Sequence, residues 1–394
     1  MLLQHPPERR NVRICLRSEA LDVNDAGDRR PLCEHHKNFV RQSDVSWYSV
    51  RPCVCPLRYT GADVPCAARP RKILRMCYSA QVIQTARKLH RQLGLRLDYA
   101  EAEKLFFRRL DDPTLNISRG FEANFDEPST EQERAIKRAI DEHRSRLGSK
   151  LEKELFSQKT RLVNAGRSLK ERETKKARED VRIATGKIDT LTTKLSNLRS
   201  TDTQPDDNRI FPLVYAGVII KKDGVNELTP MRYFCRPAGK PASYDKQFPG
   251  LYNARRDNLE KFWGQQFGHH HAVMVVESFY ENVKLHASQR RALRADEQEQ
   301  NIVLQFTPDP PQTMLIACLW SHWRDPREAD VRGFAAITDE PPADVAAAGH
   351  DRCIINLQPR HVDAWLTPEG RSTPELQNIL SDHAVSTYQH VEAA

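Results

Sequence analysis

The chain has 394 residues, of which 39% are hydrophobic and 29% charged, with a formal net charge of +8. That length holds one large domain or two ordinary ones, and the apolar fraction is low but adequate for a core. No apolar run of about 18 residues occurs, which excludes a membrane-spanning helix, and the opening "MLLQHPPERRNVRICLRSEA" lacks the continuous apolar stretch of a secretory signal. The basic excess points to an anionic partner, nucleic acid first, although one solvated basic helix would give the same number. Of the cysteines, Cys15, Cys33, Cys53, Cys55 and Cys66 crowd before residue 76, whereas Cys77, Cys235, Cys318 and Cys353 are scattered, as in a reduced cytoplasmic protein.

Residues 1–75 show no sustained period of 3.6 or 2 and read as a disordered extension, or as sequence upstream of the true start. Cys33, His35, His36, Cys53 and Cys55 invite a zinc reading, but "CVC" is too tight for a zinc knuckle, and no metal is expected. From residue 76 to 394 the chain reads as one domain. "AQVIQTARKLHRQLG" has helical spacing, with Val82, Ala86, Leu89 and Leu93 on one stripe, and "DYAEAEKLFFRRL" predicts a second helix. At about 129–200 a long charged insertion begins at Ser129-Thr130-Glu131, a helix start. Ile136, Ile140, Leu147, Leu151, Leu155 and Leu162 recur at steps of four and seven, and Ile188, Leu191, Leu195 and Leu198 at three and four. The spacing predicts an inserted helical hairpin or coiled coil, with Gly166 and Gly186 as turn or weak points. Residues 131–200 hold 19 Lys+Arg against 11 Asp+Glu, an excess of 8 that equals the net charge of the whole chain. A solvated hairpin is the simpler reading of that excess, and contact with DNA phosphates the sharper one.

A polar linker, "TDTQPDDNR", then gives way to short β-branched or aromatic runs: "FPLVYAGVII", "MRYFCRP", "HAVMVVESFY", "NIVLQF", "MLIACLW", "GFAAIT" and "CIINL". Helices are predicted over "ARRDNLEKFW" and "QPRHVDAWL". Strand runs with segregated helices predict an α+β domain whose antiparallel strands form a barrel-like or sandwich core. The Pro- and Gly-rich segment 234–250 reads as a pocket-edge loop. His269, His270 and His271 tempt a metal reading, but consecutive strand residues alternate faces and cannot converge on one ion.

Four stretches carry candidate chemistry: "RMCYSAQ" with Cys77; "GLYNARRDNL" with Asn253, Arg255 and Arg256; "VVESFYENV" with Glu281; and "AAAGHDRCIINL" with His350, Asp351 and Arg352. Each is weak alone. In this order they resemble the SOS-response-associated peptidase (SRAP) family, proteins that crosslink to abasic sites in single-stranded DNA. The likeness rests on Met76-Cys77, on "YNARRD", on "SFYEN" against the family's "GFYEW", and on "GHDRCIINLQPRHVDAWL" against its "HxRMPVIL…WL". It runs over residues 76–370, interrupted by the insertion.

The resemblance implies that Met76 is the true start and that its removal leaves Cys77 as the first residue. Chemistry gives an independent reason. A ring-opened abasic site is an aldehyde, and an N-terminal Cys offers an α-amine beside a thiol, with ordinary pKa values of about 8 and about 8.5. The amine condenses to a Schiff base with loss of water, and the thiolate adds to the C=N carbon to close a thiazolidine. A peptide nitrogen cannot begin this, because its lone pair is delocalised. By the same resemblance Glu281 and His350 are the acid–base groups, and Asn253 orients the Cys and the DNA backbone. Arg255, Arg256 and Arg352 would pair with phosphates. Tyr78, where the family has Gly, would stack on a base, and Ser79 stands where the family has an Arg that contacts DNA. Ser278 and Asn282 replace the family's Gly and Trp beside the Glu. The resemblance implies self-cleavage of an N-terminal segment or reversal of the crosslink, a cytoplasmic protein associated with the nucleoid when on DNA, and no cofactor. Two other readings stay open: a cysteine hydrolase with Cys77 as nucleophile and His350 as base, and a non-catalytic nucleic-acid- or partner-binding protein dominated by its helices.

Overall fold

The computed structural model describes residues 79–83, 89, 93–201, 204–325 and 328–393. The expected extension over 1–75, the zinc-like cluster within it, and Met76, Cys77 and Tyr78 lie outside the described residues. In chain order, β1 (Ser79–Val82) and β2 (Arg96–Leu97) precede α1 (Tyr99–Asp111) and α2 (Arg119–Glu122), and two long helices follow, α3 (Glu131–Glu171) and α4 (Lys175–Arg199). Then come β3 (Arg209–Ile210), β4 (Tyr215–Lys222), β5 (Val225–Arg232), α5 (Tyr244–Gln247), β6 (Asn253–Arg255), β7 (His271–Lys284), α6 (Leu285–Ser288), β8 (Asn301–Asp309), β9 (Met314–Asp325) and β10 (Glu328–Asp339). The chain ends with α7 (Ala343–Ala347), β11 (Cys353–Ile354), α8 (Val362–Leu366), α9 (Thr373–Ser381) and β12 (Thr387–Glu392).

The fold is α+β, as expected, with one large sheet of 12 strands. Its pairings run β10–β5–β4–β7, and β9 pairs with both β7 and β10, so they return on themselves. Most pairings are antiparallel, as expected, but β10 runs parallel to β5 and β6, and β2 parallel to β5. Tight hairpins enforce antiparallel neighbours, as at β4–β5, where Asp223 and Gly224 both take positive φ in the turn. The parallel partners are far apart in sequence and carry no such constraint.

Apolar runs without polar alternation belong to strands buried on both faces, and the sheet separates two apolar clusters. Ala272, Met274 and Val276 of β7 join Ile316, Cys318, Phe334 and Ala336 in one. Val273 and Val275 join Ala317, Leu319 and Ile337 in the other, where the helices contribute Phe106, Ile136, Ile140, Trp365 and Leu380. Burying each large side chain contributes about 1.5–3 kcal/mol.

The helical insertion forms a hairpin. Thr130 caps α3 by accepting from Glu133 N–H at 3.1 Å, while the Glu133 carboxylate accepts from Thr130 N–H at 3.1 Å. Thr174 caps α4 in the same manner, accepting from Ala177 N–H at 3.1 Å. The chain therefore turns between Glu171 and Lys175. Gly166 and Gly186, expected as turn or weak points, are not turns: both sit inside the helices, and a flanking cap rather than a mid-helix glycine sets the stop. Ala165, Ala177, Ala184, Leu191 and Leu195 are buried along the hairpin. Two further expectations are corrected. The first residues of "AQVIQTARKLHRQLG" form β1, because β7 and β3 offer it partners on both sides. "ARRDNLEKFW" gives β6 and a 3-10 turn at Arg256–Asn258, because pairing with β10 outweighs helical spacing.

Candidate active site

One extra residue in β7 decides which way Glu281 points. Against β1, Gln81 pairs with Ser278 but Val82 with Val276, so Glu277 is a bulge. Before it, the even-numbered Ala272, Met274 and Val276 face one cluster; after it, the odd-numbered Phe279 and Val283 face the same cluster. Glu281 lies between those two and is fully buried, at 0% exposure. Without the bulge, the side-chain period of two would turn it to the opposite face.

His350 arrives from another direction. Helix α7 stops at Ala347, and Gly349 takes φ +94° with its N–H on Ala346 O at 3.0 Å. A Cβ at 349 would stand 3.0 Å from Ala287 Cβ and 3.2 Å from Ser288 N, so the glycine lets this loop press against α6, which continues directly from β7. The result is that His350 Nε2 lies 3.1 Å from Glu281 Oε2, with the two side chains 4% and 0% exposed. His350 Nδ1 lies 2.8 Å from Arg352 O, so Nδ1–H donates to that carbonyl and Nε2 presents its lone pair to the carboxylate. Burial lowers the His350 pKa, opposed by the Arg352 carbonyl and by the Asp351 charge. At this distance the two groups are close enough to pass a proton from one to the other. Nε2 meets Oε2 without the alignment of a hydrogen bond.

Asn253 and Arg255 reach the neighbourhood through β10. Asn253 pairs with Ala336 and Arg255 with Thr338, and Thr338 pairs on its other side with Ile354, two residues after Arg352. Asn253 is buried, and its Oδ1 accepts from Tyr233 Oη at 3.4 Å. Arg255 Nε donates to Asp257 at 3.0 Å, and the field of Asp351 also acts on it. Arg352 lies close enough for its charge to lower Asp257, after the larger effect of the Arg255 bond. Its Nε is buried and has no hydrogen-bond partner among the described residues. Arg256 is engaged otherwise: it donates to Asp339 at 2.8 Å, Gln377 Oε1 at 3.1 Å, Gln377 O at 3.1 Å and Ser381 Oγ at 2.5 Å, tying β6 to α9. The structure thus brings Glu281 and His350 into contact, sets Arg255 and Arg352 in one charged cluster beside them, and uses Arg256 as a brace.

Several neighbours leave no mark in the sequence, because long-range pairing creates them. Arg209 stacks over Tyr280 at 3.7 Å and donates from Nε to Ser79 Oγ at 3.2 Å, fixing the start of β1 against β7. That face, opposite Glu281, borders a cavity of about 530 Å³ lined by Gln81, Arg209, Ser278, Tyr280 and Gln305. Cys353 is buried, and its thiol pKa is raised by burial and then by the Glu281 charge. Burial likewise raises Cys318, and pushes Cys235 up to about 12, so none of the three cysteines among the described residues is a reactive thiol. The segment 234–250 is pinned: Arg236 donates twice to Asp245, at 2.7 and 2.6 Å, and Trp323 Nε1 donates to Lys240 O at 2.6 Å. His271 spends both ring nitrogens on backbone, at Trp365 O (3.0 Å) and Gly268 N (2.9 Å).

Three solved structures are similar to the chain. A protein from Bordetella bronchiseptica has 14% identity and a TM-score of 0.39, with 50% of this chain and 90% of that one covered. One from Bacteroides thetaiotaomicron has 12% identity and a TM-score of 0.37, with 48% and 78% covered. A phage-related protein from Bordetella bronchiseptica has 19% identity and a TM-score of 0.35, with 47% and 81% covered. No curated protein matches. The family model described as "SOS response associated peptidase (SRAP)" matches residues 165–393, more than half of the sequence and a span that includes Asn253, Glu281 and His350, and the chain belongs to that family.

Proposed function

We propose that this protein forms a covalent adduct with abasic sites in single-stranded DNA through Cys77, once Met76 is removed. Family membership supports a DNA-damage-associated function. The observation that carries the finer reading is the buried Glu281–His350 pair at 3.1 Å, next to the strand that follows Cys77. Ser79, the first residue of β1, pairs with Tyr280, the neighbour of Glu281. Two residues of extended chain span at most about 7 Å, a tether short enough to suit the reading that Cys77 supplies the amine.

In this reading the α-amine of Cys77 attacks the aldehyde carbon, and Glu281 takes the ammonium proton. His350 Nε2 relays that proton to the carbinolamine hydroxyl, which leaves as water to form the C=N bond. The thiolate sulfur then adds to that carbon, and the nitrogen regains a proton as the thiazolidine closes. No oxidant or reductant is needed. Asn253 orients the amine, and Arg255 and Arg352 meet the flanking phosphates; the partnerless Nε of Arg352 is suited to an anionic oxygen. The unreactive state of Cys235, Cys318 and Cys353 supports giving the sulfur chemistry to a residue outside that set.

The test mixes residues 76–394, and separately 1–394, with single-stranded DNA bearing an abasic site, and resolves adducts on denaturing gels. The short form should give an adduct that Cys77→Ala abolishes. An adduct from a full-length chain whose residue 77 remains in peptide linkage would contradict the mechanism. Cleavage of peptides by that same chain would favour the hydrolase reading.

A further inference from the structure

The helical hairpin carries charge that its own ion pairs do not consume. Arg161 of α3 pairs with Asp180 of α4, and Arg199 of α4 with Glu152 of α3, so the helices lie antiparallel. Residues seven or eleven apart lie within about 20° of each other around a helix. Lys150 is eleven residues before Arg161, and Lys176, Lys187 and Lys194 are spaced by eleven and seven; Asp180 falls on that second row, seven before Lys187. The Arg161–Asp180 bridge therefore sets both rows on one face of the hairpin, and Lys153, one turn on from Lys150, widens it. All five lysines are exposed and make no ion pair or hydrogen bond among the described residues. Two carboxylates share the rows: Asp180, held by Arg161, and Glu154, which accepts from Gln158 Nε2 at 2.8 Å. Lys176 to Lys194 spans about 27 Å at 1.5 Å per residue.

We infer that this lysine face docks the sugar–phosphate backbone of duplex DNA. The inference extends the reading that the protein works on DNA, and adds a second contact away from the crosslinking residues. A straight, rigid row of cations suits a rigid, linear polyanion, and duplex DNA presents one charge per about 1.7 Å of axis. Single-strand binders combine basic residues with aromatic platforms for the bases. Neither row has an aromatic residue: Phe156, the exposed aromatic of α3, is five residues from Arg161 and so roughly 140° away around the helix. A second copy of the hairpin would set lysines against lysines, and is disfavoured for that reason.

The experiment measures fluorescence anisotropy of a duplex and of a single strand, each about 20 nucleotides long and free of abasic sites, over a range of salt concentrations. The protein is compared with a variant carrying Lys150→Gln, Lys153→Gln, Lys176→Gln, Lys187→Gln and Lys194→Gln, changes that keep helix propensity nearly constant. Duplex affinity should fall at least tenfold at moderate salt, and the slope of log K against log salt should become shallower by about 4. A control with Lys159→Gln and Lys175→Gln, both off the rows, should change affinity less than twofold. Unchanged duplex affinity in the five-lysine variant overturns the inference. So does a loss per charge as large in the control, or an equal loss on the single strand. Adduct formation on abasic single strands is scored separately and should persist in the variant; its absence in every form would sink the crosslinking reading and leave the docking result standing.

Discussion

Replacing Gly349 by Ala tests whether the loop's approach to α6 sets the Glu281–His350 pair. Two costs apply at this position. Its φ of +94° lies outside the range that a Cβ tolerates, which costs about 1–3 kcal/mol. The added methyl would also stand 3.0 Å from Ala287 Cβ and 3.2 Å from the Ala287 carbonyl carbon and Ser288 N, two of them backbone atoms that cannot rotate away. Overpacking of this kind costs about 1–3 kcal/mol. Because a shift of the loop relieves both together, the expected destabilisation is about 2–4 kcal/mol rather than their sum. With a urea m-value of about 3 kcal/mol/M, the midpoint should drop by about 1 M. The same shift draws His350 Nε2 away from Glu281, so adduct formation should slow at least tenfold under conditions where the variant is folded. Adding Ala287→Gly should restore part of both losses by removing the Cβ contact while leaving the φ strain. A Gly349→Ala protein with the parent's midpoint and the parent's rate would refute the account of how His350 is positioned.

Three further outcomes are expected. Glu281→Gln keeps shape but removes the proton acceptor, and should slow adduct formation by about 10² or more, measured by single-turnover gels, with a normal circular dichroism spectrum. Arg256→Ala breaks the brace between β6 and α9; the loss of charged hydrogen bonds should cost about 2–3 kcal/mol, seen as faster limited proteolysis near residues 373–392, with adduct formation retained. His271 is neutral in the folded state, because burial depresses its pKa to about 3. The unfolded imidazole titrates near its ordinary value, so the stabilisation is complete above about pH 6.5 and is lost progressively toward pH 3, at up to about 1.4 kcal/mol per unit. Urea titrations should show that slope, and His271→Gln should lack it.

The parts of the molecule that were legible in the sequence are those specified locally. The hairpin was readable because leucines and isoleucines recur along "ERAIKRAIDEHRSRLGSKLEKEL", and because Ser129-Thr130-Glu131 marks a helix start, which the structure sets at Thr130 as the cap of α3. Strands such as "HAVMVVESFY" and "MLIACLW" stood out as unbroken apolar runs, which is what burial on both faces demands. The direction of β6, the strand at Ser79–Val82 and the bulge at Glu277 were hidden, because each follows from which distant strand lies alongside. The motif residues were visible one by one; the contact between Glu281 and His350 needed the bulge and Gly349 together. Arg256 sat in the same motif as Arg255 and looked equally fit for phosphate, yet only packing against α9 and the end of β10 reveals its four internal acceptors.

The seat of β1 between β7 and β3 has a mechanical consequence. If DNA is tethered two residues ahead of Ser79, a motor enzyme pulling on that DNA draws β1 along its own length. Tension in that direction loads the hydrogen bonds on both flanks at once, in shear, instead of unzipping them one after another. Release would then be governed by the rate at which the surrounding sheet itself ruptures, so a tethered molecule would stall such a motor rather than be peeled from the strand.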